Sequence, residues 1–360
     1  MCFRKLILYS PVFLLVLLTS MTLFPLSTQK KYQTDTDIKQ LILKNHPIQP
    51  GWHRMEVRRL FPDEEDVKAS HYLSNPADAC RVGDYLYVVD YGLGQIIKFD
   101  KYGLFSGSFG RRGQGPGEFS RAGQIAGSES GEIFVVDSAR IQCFSSDGIF
   151  LRNFKVYLMV NDMVIKKKEL LVNALYGFYG NEKKPLIVRY DDVGNALEPF
   201  GERIDQASHY SVDSRAYLNL YKEQLLVAFR HYPVIRLYDE KGTLFRESRI
   251  RIPILARLER YNYDKKFTNP VPGVINLTRA IAGIQTIQDR IFILLHLPRI
   301  EIHEVDLSGK VINSFYSNHI SEVNDYHGFI IWPNGRELIA YVISSSPSEI
   351  ILSVLSMNPN

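Results

Sequence analysis

The residues of this chain that could do chemistry lie in short segments between runs of apolar residues. Six of the nine histidines lie in or beside such segments: His71, His209, His231, His296, His319 and His327. A zinc site needs three or four ligands that converge on one point, and no spacing in the sequence brings these side chains together. We therefore interpret each histidine as a loop or surface residue.

A glycine-rich segment, GRRGQGPGEF at 110–119, has the composition of a phosphate-binding loop. Such loops hold phosphate at the N-terminus of the helix that follows them. This segment instead lies between two predicted strands, which favours a structural turn. Arg111 and Arg112 at its tip could still contact an anionic partner. The sequence contains no Ser-His-Asp spacing and no nucleophile elbow.

Two aspartates, Asp90 and Asp137, end similar apolar runs, YLYVVD and EIFVVD. A catalytic carboxylate pair has no need to recur at the same place in two repeats. A repeated carboxylate at a strand end is better suited to accepting backbone N–H groups. We therefore predict a structural role for both.

These runs belong to a repeat that extends along the body of the chain. Each run has the length and the Val, Ile and Leu content of a buried strand. The six runs are YLYVVD at 85–90, EIFVVD at 132–137, ELLVNA at 169–174, QLLVAF at 224–229, RIFILL at 290–295 and ELIAYV at 337–342.

Each run is preceded by a weaker predicted strand and followed by another strand. In five repeats a turn of the DKYG type and a further strand come next. Asp or Ser begins such a turn through a local hydrogen bond, and Gly ends it by accepting positive φ. The turn glycines are Gly103, Gly148, Gly194, Gly242 and Gly309. Four strands per repeat predict the blades of an all-β, six-bladed β-propeller.

The last repeat lacks its outermost strand because the sequence ends at Asn360. A spare strand, RMEVRRLF at 54–61, precedes the first blade, and we predict that it completes the sixth blade and closes the ring. Closure would remove the exposed sheet edges of an open array. The fifth blade carries a large insertion at about 251–278.

The N-terminus contains an uncharged segment at 6–26, which is long enough to span a bilayer as a helix. We predict a signal anchor or a cleaved signal peptide over 1–29, a spacer over 30–53 and the propeller over 54–360. Arg4 and Lys5 favour a cytoplasmic N-terminus and a translocated body. The propeller is thus expected in the cell envelope, or in the periplasm or medium if the signal is cleaved.

The composition narrows the choice of partners. A net charge of +4 without a basic run gives no support for a nucleic-acid partner. Of three cysteines, Cys80 and Cys143 lie in the body and are predicted to be small buried residues. A monomer is expected.

The first two repeats, over residues 75–154, resemble NHL-repeat propellers, and especially exported six-bladed propellers of bacteria. The resemblance depends on the VVD strands, the turn before Gly103 and the connector SFGRRGQGPGEFSRA at 108–122. In that family the connector is an inter-blade turn. The later repeats keep the strand pattern and lose the connector.

Two classes of enzyme have folds that resemble the one predicted here. Propeller lyases carry a histidine on several inner strands, and here only His327 starts an inner strand. Lactonase-type propellers bind a divalent ion through carboxylate and asparagine ligands at the channel mouth. The residues here that could do so are Asn161, Asp162, Asp213 and Asp325.

We therefore predict a non-catalytic binding propeller without a cofactor, which contacts a protein, peptide or glycan through its loop-rich face. The alternative is a metal-dependent lactonase or lyase that uses Ca or Zn. Arginine and aromatic side chains dominate binding hot spots. The candidate binding residues on this face are Arg121, Tyr179, Arg230, Tyr232, His296 and Arg299.

Overall fold

The computed structural model describes residues 44, 46–175, 184–204, 214–268, 277–320 and 326–356. These residues form six sheets, which are the blades of the predicted ring. The inner strand of each blade contacts the inner strand of the next, and that of blade six contacts that of blade one. The ring is therefore closed.

The described chain begins with two short strands and a helix, and four-stranded antiparallel units follow. The first elements are β1 (His53–Arg54), β2 (Glu56–Phe61) and α1 (Glu64–Lys68). Blades one and two, given from the inner to the outer strand, consist of β3 (Pro76–Val82), β4 (Tyr85–Asp90), β5 (Gln95–Asp100), β6 (Phe105–Phe109), β7 (Ala122–Gly127), β8 (Ile133–Asp137), β9 (Arg140–Phe144) and β10 (Phe150–Lys155).

The other four blades follow in the same order along the chain. Blades three and four consist of β11 (Met159–Lys166), β12 (Glu169–Leu175), β13 (Ile187–Asp191), β14 (Ala196–Phe200), β15 (Ala216–Tyr221), β16 (Gln224–Phe229), β17 (Val234–Tyr238) and β18 (Leu244–Arg249). After helix α2 (Pro253–Thr268), blades five and six consist of β19 (Ile281–Ile287), β20 (Arg290–Leu295), β21 (Arg299–Val305), β22 (Val311–Ile320), β23 (Tyr326–Asn334), β24 (Glu337–Ser345) and β25 (Ser348–Leu355).

The six apolar runs of the sequence are the second strands of the blades, as predicted. Most of their residues are fully buried, because neighbouring blades cover both faces of each sheet. This explains why these strands are nearly continuous apolar runs instead of alternating ones. The turn glycines also behave as expected: Gly148 has φ +79°, and a Cβ there would collide with the ring of Phe109.

The N-terminal strand β2 completes blade six, which confirms the predicted ring closure. It pairs antiparallel with β25, with Glu56 opposite Val354 and Phe61 opposite Ile350. Strand β1 was not predicted. It pairs parallel with β22 and makes blade five a five-stranded sheet.

Residues 46–53, which the sequence suggested to be spacer, pack against blade five. The Trp52 ring makes edge contacts with His46 and His303. Both histidines also lie within hydrogen-bonding distance of the buried Glu301 carboxylate. Although burial raises the pKa of Glu301, the hydrogen bonds from His303 and His46 lower it to about 2.

The fifth-blade insertion contains helix α2, which is anchored to the ring. Leu255 and Leu258 on this helix are buried in the core between blades four and five. Asn262, also buried, donates to the backbone oxygens of His231 and Thr278. The described part of the insertion thus belongs to the packed body.

Within the described residues, no helix has both the length and the apolar character needed to cross a membrane. The predicted membrane segment at 6–26 lies outside these residues.

Candidate functional site

The inner strands surround a narrow central channel. Residues from all six of these strands line a cavity of about 190 Å³. Irregular registers interrupt several inner strands near their first residues, for example between Pro76 and Asp78 and between Val160 and Asp162. These irregularities turn the two aspartates toward the channel.

Asp78 and Asp162 link neighbouring blades. Asp78 accepts the backbone N–H of Ile125 in blade two at 3.0 Å, and Asp162 accepts that of Leu218 in blade four at 2.7 Å. Each also accepts the N–H of the residue that follows it. A carboxylate that satisfies a neighbouring strand in this way holds the ring together from inside.

The surroundings of these two carboxyl groups favour their protonated forms. Burial, and secondly the charge of Asp162, raise the pKa of Asp78 well above its usual range. Burial raises the pKa of Asp162 to about 7, although two backbone hydrogen bonds and Arg230 act in the opposite direction. The pair therefore carries less than its full negative charge at neutral pH.

Arginines surround the channel mouth on the face where inner strands begin and second strands end. Arg215 precedes β15, Arg230 follows β16, and Arg279 lies just before β19. Arg230 donates from Nη1 to Asn161 Oδ1 of blade three at 2.9 Å. Arg279 donates from Nη1 to the backbone oxygen of Tyr326 in blade six, also at 2.9 Å. Arg230 thus connects blade four to blade three, and Arg279 connects blade five to blade six.

The positive charge of this cluster lowers the pKa values of two side chains, one within the cluster and one beside it. Burial, then repulsion by Arg230 and Arg279, lower the pKa of Arg215, and no carboxylate of the described residues is among its electrostatic neighbours. Burial and the same positive charges lower the pKa of His231 to about 3, despite a backbone hydrogen bond to Thr278. Positive charge from three arginines is therefore concentrated at this mouth.

Several polar atoms at the mouth lack a partner. Arg215 Nε, Arg230 Nε and Tyr217 Oη are buried and have no hydrogen-bond partner among the described residues. The Arg230 guanidinium lies 4.9 Å from the centroid of the Tyr217 ring, which lines the channel. Unsatisfied buried donors cost folding free energy, which makes this mouth a candidate site.

The predicted binding residues lie in different environments in the structure. Arg230 belongs to the mouth cluster, and Arg121 is exposed before inner strand β7, on the same face. Tyr232, His296 and Arg299 are buried, at 2%, 5% and 9% exposure. Tyr179 lies outside the described residues.

The three buried candidates have structural surroundings. Tyr232 packs in the core between blades three and four. The backbone N–H of His296 donates to the Ala280 oxygen. Arg299 pairs with Glu301 and donates to the backbone oxygen of His46, beneath the N-terminal segment. The side chains of Tyr232 and Arg299 are therefore positioned to stabilise the ring.

Of the predicted metal ligands, Asp213 and Asp325 lie outside the described residues. The Asn161 amide is occupied by Asn173, Ala216 and Arg230, and Asp162 accepts two backbone N–H groups. Across the described ranges, no three His, Cys, Asp or Glu side chains are grouped so that they could hold a metal ion. The metal-dependent alternative stays an untested prediction.

The repeated aspartates have the structural contacts that their position indicated. Asp90 accepts the backbone N–H groups of Ser74, Asn75 and Leu93. Asp137, fully buried, accepts those of Ser120 and Arg121.

The glycine-rich segment is an inter-blade turn, held in place by its own side chains and by blade two. Arg111 pairs with Glu118, and Arg112 donates to the backbone oxygens of Tyr91 and Gly92. Arg140 of blade two donates to backbone oxygens within the segment. The buried Cys80 and Cys143 are unpaired.

Comparisons with known proteins agree with this architecture. Residues 68–243 match the model of the DUF5128 family, described as a 6-bladed beta-propeller. The chain is a six-bladed β-propeller. No curated protein matches its sequence.

Two solved structures from Bacteroides share the propeller's fold. A candidate exported protein of Bacteroides fragilis has a TM-score of 0.56 at 12% identity, with 85% of this chain and 95% of that one covered. A member of the duf4221 family from Bacteroides vulgatus has a TM-score of 0.55 at 13% identity, with 85% and 98% covered. At these identities the likeness shows the fold alone.

The sequence analysis did not identify Arg215, Tyr217 or Arg279 as site residues. One signal was available: Arg215 and Arg279 both lie directly ahead of predicted inner strands. Since inner strands of successive blades begin on the same face of a propeller, arginines at these positions must lie near the same channel mouth.

Proposed function

We propose that this propeller is an exported, non-catalytic binding protein that recognises its ligand at the mouth of the central channel. The observation that carries the proposal is the approach of Arg215 and Arg230 at this mouth, where the buried Nε atom of each has no hydrogen-bond partner among the described residues. The cluster lies on the loop-rich face, where propellers can vary residues without disturbing the blades.

Energetic reasoning supports a binding role over a structural one. A half-buried guanidinium without a counter-ion weakens the fold, because desolvation and like-charge repulsion are not offset. A ring that needed only stability would be better served by apolar side chains at these positions. A ligand that supplies the missing acceptors would convert this cost into affinity.

Export and tethering are further parts of the proposal. The uncharged segment at 6–26 supports them, as does the fold shared with a candidate exported protein. We expect the full-length protein to sediment with membranes and to resist high-salt extraction. A soluble mature protein whose N-terminus lies beyond residue 26 would instead show a cleaved signal.

The binding role is tested by ligand retention. The full-length protein in mild detergent is incubated with an extract of the cell envelope, and bound molecules are identified by mass spectrometry. The variant carries Arg215→Ala and Arg230→Ala together. The matched control is Arg246→Ala, because Arg246 is exposed on the outer strand of the same blade.

We expect the double variant to lose a ligand that the wild type and the Arg246→Ala control retain. Equal retention by all three proteins would contradict a binding site at the channel mouth. The metal-dependent lactonase or lyase makes a different prediction, which elemental analysis checks: about one Ca or Zn ion for each protein molecule.

A further inference from the structure

A second surface on the loop-rich face lies at blade two, where the outer strand β10 leads into the inner strand β11 of blade three. It consists of Arg121, Lys155, Tyr157 and Met159, and we call it the connector patch. We propose that the connector patch docks an acidic segment of a partner protein in an extended conformation. This inference goes beyond the proposed function and uses none of the arginines of the mouth cluster.

The connector patch exposes two large apolar side chains to solvent. Tyr157 is 84% exposed and Met159 is 69% exposed, the highest values among the large apolar residues that the structure describes. Val156 and Val160, on either side of them, are buried in the core between blades two and three. The connector is thus anchored at both ends. Since tyrosine, methionine and arginine are enriched in protein–protein interfaces, this surface is a candidate docking site.

Backbone hydrogen bonds hold the parts of the patch side by side. The N–H of Val156 donates to the carbonyl oxygen of Ala139 at 2.8 Å, and the N–H of Ser138 donates to that of Arg121 at 3.3 Å. Because Ser138 and Ala139 are neighbours in one turn, they join Arg121 to the connector. Lys155 directly precedes Val156 in the chain. The two cations and the two apolar side chains therefore belong to one continuous surface.

The charge of the patch favours an acidic partner. Arg121 and Lys155 are exposed, and neither side chain has an ion-pair partner among the described residues. Two carboxylates at the same end of blade two are already occupied, since Asp137 pairs with Arg140 at 2.8 Å and Glu118 belongs to the ion pair of the glycine-rich segment. Opposite charge on a partner speeds association and excludes wrong partners.

The backbone of the connector favours a peptide over a lipid surface. Within the described residues, the N–H and C=O groups of Tyr157 and Leu158 take part in no backbone hydrogen bond. The main chain of an extended peptide can pair with such groups, whereas lipid tails offer no hydrogen-bonding partner. Two apolar side chains also provide little area for insertion into a membrane. We therefore take a protein segment as the occupant.

A defined peptide represents this partner. The probe is a capped pentapeptide with Phe at its centre and Glu at every other position, and it carries an uncharged fluorophore. Because alternate residues of an extended chain share one side, the Phe and the outer Glu residues can face the patch together. The control peptides replace Glu by Gln, Glu by Lys, or Phe by Ser.

Binding is measured by fluorescence anisotropy on the full-length protein in a mild uncharged detergent at low salt. We expect the Glu peptide to bind about tenfold more tightly than each control peptide. Tyr157→Ala should weaken its binding by about tenfold, the effect of losing an aromatic hot spot. The matched control is Phe245→Ala, an exposed aromatic residue on the outer strand of blade four, which should bind like the wild type.

A second pair of variants tests the charge of the patch. Lys155→Glu should weaken binding of the Glu peptide by about fivefold at low salt, and added salt should reduce this difference. Lys241→Glu, in an exposed turn of blade four, is its control and should have no effect. Because all four substituted side chains are exposed, the melting temperature should change little in every variant.

Three results would overturn the proposal: no binding of the Glu peptide, equal binding of all four peptides, or an equal loss in Phe245→Ala and Tyr157→Ala. Displacement of the peptide by micelles that contain phosphatidylglycerol, but not by those with phosphatidylcholine, would show a lipid surface instead. The variant with Arg215→Ala and Arg230→Ala should bind the peptide like the wild type. A loss there would mean that the peptide binds at the channel mouth and that the connector patch is not its site.

Discussion

Blades one and two differ from blades four and five at the same topological position, the end of the second strand. In the first pair this position is occupied by Asp90 and Asp137, whose carboxylates accept backbone N–H groups from the loop that enters the same blade. In the aligned repeats of blades four and five the residues are Phe229 and Leu295, which are apolar.

The difference shows how one scaffold position can serve two purposes. An aspartate at this position accepts hydrogen bonds from the backbone of the loop. Its carboxylate oxygens are then no longer available to a ligand. Where it is absent, the following residue Arg230 lies with Arg215 at the channel mouth, and the buried Nε atoms of both have no hydrogen-bond partner among the described residues. Blades one and two thus contribute mainly stability, and blades four and five contribute the candidate site.

Removing a closing aspartate should give the largest effect. Asp137→Ala leaves two backbone N–H groups and the Arg140 guanidinium without their carboxylate. We expect a loss of about 3–5 kcal/mol in the free energy of unfolding, measured by urea denaturation.

The control for this change is Asp147→Ala, in an exposed turn of the same blade. It should alter stability by no more than about 0.5 kcal/mol. Comparable losses in both variants would mean that Asp137 has no special role in closing its loop.

The channel carboxylates should make the free energy of unfolding depend on pH, and this effect should be of intermediate size. The pKa of the Asp162 carboxyl is about 7 in the folded protein, against an ordinary value of 3.8. Between these values the folded state holds a proton that the unfolded chain has released, so the contribution of Asp162 to stability falls as pH rises from about 4 to about 7.

Asp162→Asn should remove part of this dependence. For one proton the slope that it removes is at most about 1.4 kcal/mol per pH unit. Urea denaturation of both proteins between pH 4.5 and pH 7.5 measures the difference in slope. Parallel stability curves would show that Asp162 titrates normally. Asp78→Asn combined with Asp162→Asn should give the flattest curve.

At the mouth, truncation of an arginine should be nearly harmless to the fold. Arg215→Ala removes a repelled and half-buried charge together with some packing. We therefore expect the free energy of unfolding to stay the same or to rise by up to about 1 kcal/mol.

The contrast is Arg236→Ala in the same blade. Arg236 pairs with Glu247 and donates to the backbone oxygen of Glu202, and its guanidinium lies 5.1 Å from the Phe229 ring centroid. Its removal should cost about 1–2 kcal/mol. If Arg215→Ala destabilises the propeller as much, Arg215 is a structural residue.

The smallest effect is expected at Arg121, across the channel mouth in blade two. Its backbone N–H and carbonyl are held by Asp137 and Ser138, whereas its side chain is exposed. Arg121→Ala should leave the melting temperature within about 1 °C of the wild type. It should weaken binding at the channel mouth only if the ligand retained there extends beyond the arginine cluster, which the retention experiment would detect.

The sequence by itself determined the blade count, the second strands, the turn glycines and the closure of the ring by β2. These features are local: a buried strand requires a run of apolar residues, and a tight turn requires Gly at positive φ. The structural roles of Asp90 and Asp137 could be predicted for a related reason, since repetition of a residue at a strand end is visible along the chain.

Only the tertiary structure decided which loop residues reach the channel. Tyr232 and Arg299 have the chemistry of binding residues, yet the ring buries them, whereas Arg215 and Arg279 converge from separate blades. The packing of Trp52 on His303, from segments far apart in the chain, was equally invisible. A side chain's exposure and its neighbours depend on which distant segments of the chain meet in the ring. No local pattern of residues shows which segments these are.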